Sequence, residues 1–339
     1  MTNVSSGPSG RTSVVDVHAH ILPRDLIGAL NRRRQNGFPE PRSDGALAFG
    51  QRVTPVPPPD LIDVDQRLRD MDRMGVAIQI VSPWVELSPD GSGSGESDFL
   101  RLLNTALAAE VARHPTRLRG LGLVSRSDPE DATQEMIRVA HTRGMVGVEI
   151  SAGGVGPALH SSSWNKFWYT ASELGCLVLL HPWRAGCHAG VEVAGVGDIV
   201  DNPAQTSATV TALLLAGVVQ RHPGLNLCLV HGGGSLPYHL GRLIALGEPL
   251  RAAHDVGASV AAGVERLWFD SLTHSSDALV FLVRQVGAER VLLGTDYPFP
   301  TGDPEGVSRV RGARGLTADA KAAILGGNAI RLIRRLDTL

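Results

Sequence analysis

Two histidines near the start of the sequence have a spacing that suits metal binding. His18 and His20 stand two residues apart in the apolar run VVDVHAH, residues 14–20. Residues i and i+2 of a β-strand leave the backbone on the same face, so the two imidazoles would converge on one point. The alternative is a pair of separately hydrogen-bonded core histidines, since histidine is only intermediate in its preference for burial.

Other side chains with catalytic or metal-binding chemistry stand at the ends of later apolar runs. They are Glu149, His181, His231, Asp270 and Asp296. Three imidazoles and one carboxylate form a ligand set that suits a divalent transition metal such as zinc and lets water occupy an open position. Unpaired polar groups at four strand ends would cost several kcal/mol in an ordinary core, which argues against a packing role. We therefore predict one divalent ion, with zinc as the expected metal, bound by His18, His20, His181 and Asp296.

Eight short apolar runs supply the strands that such a site needs. They lie at residues 14–19, 76–82, 118–124, 145–151, 176–182, 225–232, 266–271 and 290–297. Between most of them apolar residues recur at three- and four-residue spacing, for example at 98–114 and 131–144, which is typical of amphipathic helices. Eight such units predict a parallel (β/α)8 TIM barrel, whose strands converge on an active site at their C-terminal ends. A doubly wound open sheet is the alternative, although no glycine-rich phosphate loop follows the first strand.

Three segments depart from this alternation. Residues 1–12 are predicted to be a flexible N-terminal tail, so that 13–339 form a single barrel domain. Residues 23–60 are rich in proline, glycine and arginine, and we predict that they form a small cap inserted after the first strand. Residues 88–98, SPDGSGSGESD, are either a mobile lid on the same rim or a solvated loop.

The composition favours a small-molecule partner. The chain has 32 lysine and arginine residues against 34 aspartate and glutamate residues, so nothing favours binding to nucleic acid or to a membrane surface. Its three scattered cysteines, Cys176, Cys187 and Cys228, are too few for a disulfide framework and agree with a reducing compartment. The sequence has no apolar stretch long enough to span a bilayer, and its start lacks the pattern of a signal peptide. We therefore expect a cytoplasmic protein.

His231 opens the glycine-rich motif HGGG and has three possible roles. It could be a further metal ligand, a structural histidine at the end of its strand, or a general acid/base beside the metal. Four other residues already satisfy one ion, so the sequence favours the acid/base role. His274, after the seventh strand, is a weaker candidate near the same rim, and His188 could touch substrate from the loop after His181.

Five motifs occur along the chain in a recognisable order, namely DVHAHILP, LLHPW, LVHGGGSLPYHLGRL, WFDS and LLGTDYPFP. Together they resemble the amidohydrolase-related metal-dependent family of the amidohydrolase superfamily, and most closely its decarboxylase branch. The similarity covers nearly the whole chain, including the terminal GNAIRLI. It implies a barrel that holds a single divalent ion, usually zinc, at the positions of His18, His20, His181 and Asp296.

The resemblance also implies roles for residues around the ion. His231 matches a histidine that assists the metal-bound water. Arg242, eleven residues later, matches an arginine that reaches the neighbouring subunit's site, which implies a homodimer, and Arg52 in the cap matches a second arginine that holds substrate carboxylates. Trp183 and Phe299 match aromatic positions that line the pocket.

The sequence also departs from the decarboxylase branch. The loop after HPW, RAGCHAGVEVAGVGDIVDNPAQT, lacks the methionine- and tryptophan-containing sequence expected there, so the substrate stays open. Binuclear relatives bridge two metals through a carbamylated lysine on the fourth strand. The only lysines here are Lys166 and Lys321, which lie elsewhere, so only Glu149 could bridge a second ion.

We predict a zinc-dependent non-oxidative decarboxylase of an unsaturated or aromatic carboxylic acid, with no organic cofactor. The ion would acidify a bound water, His231 and Asp296 would act as catalytic residues, and Arg52 and Arg242 would grip the substrate carboxylate. A metal-dependent hydrolase or hydratase of a lactone or unsaturated diacid is the alternative, because the same ion and water could attack carbon. A metal-binding protein without catalysis would need its open coordination position to be blocked, and a pocket lined by arginine and histidine argues against that.

Overall fold

Apolar strands and amphipathic helices alternate along the chain in the computed structural model of the protein. The structure describes residues 13–33, 37–91, 95–183, 195–252 and 259–336. The predicted tail at 1–12, Cys187, His188 and most of the loop after Trp183 lie outside these described residues.

The described part of the chain contains eleven strands, of which eight form one parallel sheet and three form a small antiparallel sheet. They are β1 (Val15–Ile21), β2 (Glu40–Pro41), β3 (Leu47–Phe49), β4 (Arg52–Val53), β5 (Ile78–Pro83), β6 (Leu118–Leu123), β7 (Met145–Ser151), β8 (Leu177–His181), β9 (Asn226–Leu229), β10 (Trp268–Asp270) and β11 (Val291–Leu292). Each of the eight predicted apolar runs overlaps one strand of the parallel sheet, in the predicted order.

Thirteen α-helices lie in the described ranges. They are α1 (Arg24–Arg32), α2 (Val64–Met74), α3 (Glu96–Arg113), α4 (Pro129–Ala140), α5 (Asn165–Leu174), α6 (Asn202–Leu215), α7 (Val218–Arg221), α8 (Leu236–Ala252), α9 (Val260–Val264), α10 (Ser276–Val286), α11 (Gly306–Gly312), α12 (Ala318–Ala322) and α13 (Asn328–Leu336). Asp63, Asp128 and Ser275 accept hydrogen bonds from first-turn N–H groups of α2, α4 and α10, which explains where these helices begin. None of the helices in these ranges has the length and apolarity that crossing a membrane requires.

The parallel sheet closes on itself. Its strands follow the order β1-β5-β6-β7-β8-β9-β10-β11. Backbone hydrogen bonds join the two ends, from Val17 N to Leu293 O at 2.8 Å, from Asp296 N to His18 O at 2.7 Å and from His20 N to Tyr297 O at 2.7 Å. The predicted (β/α)8 barrel is therefore confirmed, and the open sheet is excluded.

A bulge in β1 brings its histidines to the inside of the barrel. The register of β1 against β5 shifts within the strand. Val15 and Val17 pack in the apolar cluster that fills the barrel, together with Leu179 of β8. Strict alternation would then turn His18 and His20 outward, but the extra residue of the bulge returns them to the inner face.

Two apolar clusters stabilise the barrel. The larger one lies between the sheet and the helices and includes the fully buried Trp164, Phe167 and Trp168. The inner cluster ends on Ala329 and Leu332 of α13, so the C-terminal helix covers the barrel at the end away from the polar strand ends. The site therefore stands on a rigid apolar floor.

The segment between β1 and α2 occupies the place predicted for the cap. It contains α1 and the antiparallel sheet of β2, β3 and β4. Leu26 and Leu47 of this segment belong to one apolar cluster with Phe99 and Leu103 of α3, which fixes the segment over one side of the barrel. The domain boundaries assigned from sequence, with a tail at 1–12, stay a prediction.

Candidate metal centre

The four predicted metal ligands lie together at the C-terminal ends of the barrel strands. His18 and His20 lie on β1, His181 is the last residue of β8, and Asp296 follows β11. One ligand atom from each residue lies within 4.8 Å of the others, and all four residues are buried. The barrel thus joins side chains from both ends of the sequence, as the motif positions predict, while their role as ligands stays a prediction.

Each imidazole of this group turns its Nε2 inward because its Nδ1 bonds to a protein oxygen. The Nδ1–H of His18 donates to Asp270 Oδ2 at 2.7 Å, and that of His181 donates to the next backbone carbonyl at 2.6 Å. The Nδ1 of His20 lies 3.3 Å from a backbone carbonyl oxygen at the end of β5. Metal-binding histidines usually donate their second ring N–H in this way, so the three orientations fit a metal site.

The donor atoms themselves also fit a resident cation. Among the described residues, His181 Nε2 and Asp296 Oδ1 are buried without a hydrogen-bond partner. Asp296 Oδ1 lies 3.4 Å from His18 Nε2 and 3.2 Å from His20 Nε2. A buried polar atom left without a partner costs about 1–3 kcal/mol, and a shared cation would remove that cost. Three nitrogens and one oxygen around a common point are a suitable donor set for one divalent ion.

The pKa values of the group shift in opposite directions. Burial opposes the charged form of His18, but Asp296 and Asp270 outweigh it and raise its pKa to about 9. Burial would raise the pKa of Asp296, yet His18 and His20 hold it well below its usual range. Burial and the neighbouring imidazoles lower the pKa of His181 well below its ordinary value. An anionic carboxylate and a neutral imidazole are the forms in which these groups bind a metal, so the shifts of Asp296 and His181 favour binding, whereas His18 would give up a proton when it binds the ion.

His231 stands beside the ligand group on a strained turn. Its Nε2 lies 3.9 Å from Asp296 Oδ2, and its ring centroid lies 5.4 Å from that of His18. The backbone φ is 56° at His231, 54° at His274 and 56° at Asp296, and all three residues line the same cavity. Such left-handed conformations cost about 1–3 kcal/mol each and concentrate at functional sites.

The cavity above the ligand group is large and mainly apolar. It has a volume of about 1010 Å³, and its lining includes His181, His231 and Asp296. Phe299 also lines it, with its ring 5.3 Å from that of His20, whereas Trp183 is not among the lining residues. The Trp183 backbone N–H donates to Gln205 Oε1 at 2.8 Å. An organic molecule with one end on the ligand group would fit this cavity.

Arg52 binds the loop after β5 and does not line the cavity. Its guanidinium donates to Glu86 O at 2.9 Å and Ser88 O at 2.8 Å, and the Glu86 carboxylate lies 3.6 Å away. The guanidinium also lies 4.1 Å above the Phe49 ring, and the side chain is only 9% exposed. In this structure Arg52 ties the cap to the barrel, and its role in substrate binding stays a prediction.

Arg242 lies away from the ligand group of its own chain. It is an exposed residue of α8 and lines a separate groove of about 430 Å³, together with Ser207, Leu243 and Leu246. A single chain therefore does not bring Arg242 to the site. The predicted contribution to a neighbouring subunit requires a second copy of the chain.

A buried polar network behind the ligands was not predicted. Arg67 of α2 is fully buried, donates to Gln79 Oε1 at 2.7 Å and donates to the carbonyl oxygen of His20. Gln79 Nε2 donates to Asp16 Oδ2 at 2.8 Å, and Asp16 Oδ1 accepts from His18 N at 3.2 Å. We call Arg67, Gln79 and Asp16 the β1 brace. The spacing of Asp16, two residues before His18, was the one sequence signal for it, since nothing in the charged pattern of α2 marks Arg67 as buried.

A (β/α)8 barrel with a buried histidine and aspartate group at its C-terminal rim is typical of the class of metal-dependent barrel enzymes. Residues 15–335 match the sequence family described as Amidohydrolase, which is nearly the whole chain. The protein therefore belongs to the amidohydrolase family, as the five motifs predict.

Named decarboxylases are among its relatives. The 2-amino-3-carboxymuconate-6-semialdehyde decarboxylase of Dictyostelium discoideum is 28% identical over 344 residues, covering 95% of this chain and 92% of that protein. The structure of 5-carboxyvanillate decarboxylase from Sphingomonas paucimobilis has a TM-score of 0.76 and 24% identity, covering 95% and 99% of the two chains. That of dihydroxybenzoic acid decarboxylase from Polaromonas sp., with bound manganese and 2-nitroresorcinol, has a TM-score of 0.74 and 21% identity, covering 95% and 97%. At such identities the two structures support the fold alone. These relatives are named as decarboxylases, which are carboxy-lyases, and this confirms the prediction of a carboxy-lyase.

Proposed function

We propose that the protein is a divalent-metal-dependent, non-oxidative decarboxylase of an unsaturated or aromatic carboxylic acid. The observation that carries this proposal is the buried group of His18, His20, His181 and Asp296, of which His181 and Asp296 line an apolar cavity together with His231. The relative named as a decarboxylase, which matches the chain over 95% of its length, supports this reaction. Among the described residues that surround the site, none favours the hydrolase or hydratase alternative.

The resident ion would be held by Nε2 of His18, His20 and His181 and by Oδ1 of Asp296. When bound, a divalent cation supplies a Lewis acid that stabilises developing negative charge. We propose zinc because three nitrogens and one oxygen suit it. Manganese is the competing choice, since one related structure contains it.

His231 would deliver the proton that the reaction needs. The bond between the carboxylate carbon and its neighbouring carbon breaks, CO₂ leaves, and the electron pair stays on the neighbouring carbon, which must take up a proton. His231 lines the cavity with its side chain 18% exposed, so it can exchange protons with water between turnovers. Its Nε2 lies near the anionic Asp296, whose Oδ2 would stabilise the protonated imidazole before transfer.

Two arginines would bind the substrate carboxylate, Arg52 from the cap and Arg242 from a second copy of the chain. Support for a homodimer comes from α8, which exposes Tyr238, Leu246 and Leu250 near Arg242. Apolar and aromatic side chains with an arginine among them are typical of subunit interfaces. The cytoplasmic location and the lack of an organic cofactor remain expectations from sequence.

The test is metal analysis of the purified protein, followed by an assay for CO₂ release. The protein is stripped of metal with a chelator, and part of it is reloaded with Zn²⁺ or Mn²⁺. Both samples are incubated with the aromatic acids 2,6-dihydroxybenzoate and 5-carboxyvanillate and with carboxylic acids from aromatic ring cleavage, and the product masses are measured by mass spectrometry. We expect CO₂ loss that needs the ion, with normal turnover in the control variant His160→Ala, an exposed loop position. Products that gain water without losing CO₂ would favour the hydrolase, and full turnover after exhaustive chelation would contradict the proposal.

A further inference from the structure

We propose that Asp270 is a positioning residue that sets the orientation of His18 and the backbone turn of His231 with a single carboxylate. This inference rests on the proposed metal site and goes beyond it, because Asp270 is not a ligand in that proposal. Asp270 is the last residue of β10 and is fully buried.

One oxygen of Asp270 fixes the His18 ring. Oδ2 accepts from His18 Nδ1–H at 2.7 Å, and both side chains are completely shielded from water. When the His18 ring is neutral, as cation binding requires, Asp270 holds the proton on Nδ1 and the lone pair lies on Nε2, the atom that faces His20 Nε2 at 3.3 Å and Asp296 Oδ1 at 3.4 Å. Asp270 therefore selects the tautomer of His18 that can bind a cation.

The other oxygen of Asp270 holds the turn after β9. Oδ1 accepts from Gly232 N at 2.6 Å and from Leu272 N at 3.1 Å. Gly232 directly follows His231, and both have positive φ, 62° and 56°. A strained turn persists only when its surroundings hold it. The hydrogen bond from Gly232 N to Asp270 Oδ1 holds the residue next to His231. The placement of the imidazole beside Asp296 thus depends on Asp270.

The two roles require a carboxylate rather than an amide. An aspartate offers acceptors on both oxygens, whereas an asparagine offers one acceptor and one donor group. In Asp270→Asn, an NH₂ group facing His18 would push the ring proton to Nε2, and an NH₂ group facing Gly232 would oppose a backbone N–H. Either orientation breaks one of the two contacts.

The contact between Asp270 and His18 needs the space that Gly294 leaves by having no side chain. A Cβ added there would lie 2.8 Å from the Asp270 Cβ, 3.0 Å from Asp270 Oδ2 and 3.0 Å from the His18 Cβ. Contacts this short force the neighbours to move, and both neighbours are the partners of the hydrogen bond. Gly294→Ala is therefore a second perturbation that alters neither partner chemically.

The experiment measures the affinity of chelator-stripped protein for Zn²⁺, together with thermal unfolding. We expect Asp270→Asn to weaken Zn²⁺ binding by roughly 10- to 100-fold, the usual effect of removing an oxygen that orients a metal-binding histidine. Glu135→Gln is the matched control, because Glu135 is also buried and accepts from Asn104 and Arg138 on the outside of the barrel. It should change stability without changing Zn²⁺ affinity. Histidine NMR of the Zn²⁺-loaded protein should show a protected Nδ1–H of His18 in the wild type and lose it in Asp270→Asn.

Gly294→Ala covers the case in which Asp270→Asn does not fold. It should weaken Zn²⁺ binding in the same direction, while Gly312→Ala, where an added Cβ meets no atom within 4 Å, should bind as the wild type does. Wild-type affinity in both Asp270→Asn and Gly294→Ala would overturn the inference. A wild-type protein that binds no ion would instead refute the proposed metal site, so the two failures are distinguishable.

Discussion

Replacing Arg67 by methionine should destabilise the barrel and loosen the strand that carries His18 and His20. Arg67 is fully buried, and its guanidinium donates to Gln79 Oε1 at 2.7 Å and to the carbonyl oxygen of His20. Methionine keeps much of the apolar stem but leaves both oxygens without these donors. A buried acceptor left unsatisfied costs about 1–3 kcal/mol, so two of them cost about 2–6 kcal/mol. Arg67→Met also removes a buried charge, and the desolvation penalty that this saves offsets part of the cost. We expect a net loss of about 3 kcal/mol in the free energy of unfolding.

The assay is thermal and urea unfolding of Arg67→Met beside Arg69→Met. Arg69 lies on the same helix and is exposed, and its guanidinium donates to Gln66 Oε1 at 2.8 and 3.1 Å. We expect Arg69→Met to stay within about 0.5 kcal/mol of the wild type. We expect Arg67→Met to unfold roughly 5 °C lower and to bind metal more weakly, because the His20 backbone loses its anchor. Equal stability of the two variants would refute the interpretation of the β1 brace as a support of the site.

Three further outcomes follow from the site. His231→Asn should keep its metal and lose roughly 10²- to 10⁴-fold in turnover, the usual contribution of a general acid/base. Metal analysis and kcat measured on the same sample check this, and loss of the ion would instead indicate that His231 is a ligand. Removal of the ion by a chelator should lower Tm, because a ligand at about 100 times its Kd stabilises the folded state by about 2.7 kcal/mol. Calorimetry with and without added Zn²⁺ measures this, and an unchanged Tm would count against the site. Arg52→Met should speed proteolytic cleavage within residues 37–63 without changing the metal content, because Arg52 connects the cap to Glu86 O and Ser88 O by hydrogen bonds. An unchanged cleavage rate would show that these hydrogen bonds do not hold the cap in place.

The sequence was sufficient to predict the barrel and the meeting of His18, His20, His181 and Asp296 at its rim. Apolar runs that end in histidine or aspartate identify strands, and in a closed parallel barrel all those ends meet on one rim. His18, His181 and Asp296 could therefore be grouped although they lie on β1, on β8 and after β11. The last strand was predicted too long, because regular pairing stops at Leu292 and the chain turns through a positive φ at Asp296.

Features that depend on long-range contacts could not be predicted in this way. The bulge in β1 has no local signature, although it decides which face His18 occupies. The hydrogen bonds of Arg52 to two backbone carbonyls of the loop after β5 could not be predicted, because those partners lie more than thirty positions further along the chain; its role in substrate binding stays a prediction. Asp270 was recognised as a polar strand end, but its contact with His18 crosses 252 positions of sequence.

The most direct test of the proposed metal site is anomalous X-ray diffraction from crystals of the protein loaded with Zn²⁺, collected on both sides of the zinc absorption edge. We expect one strong anomalous peak, from an ion bonded to Nε2 of His18, His20 and His181 and to Oδ1 of Asp296. A peak bound elsewhere, or no peak at this group in protein that has been supplied with the ion, would contradict it.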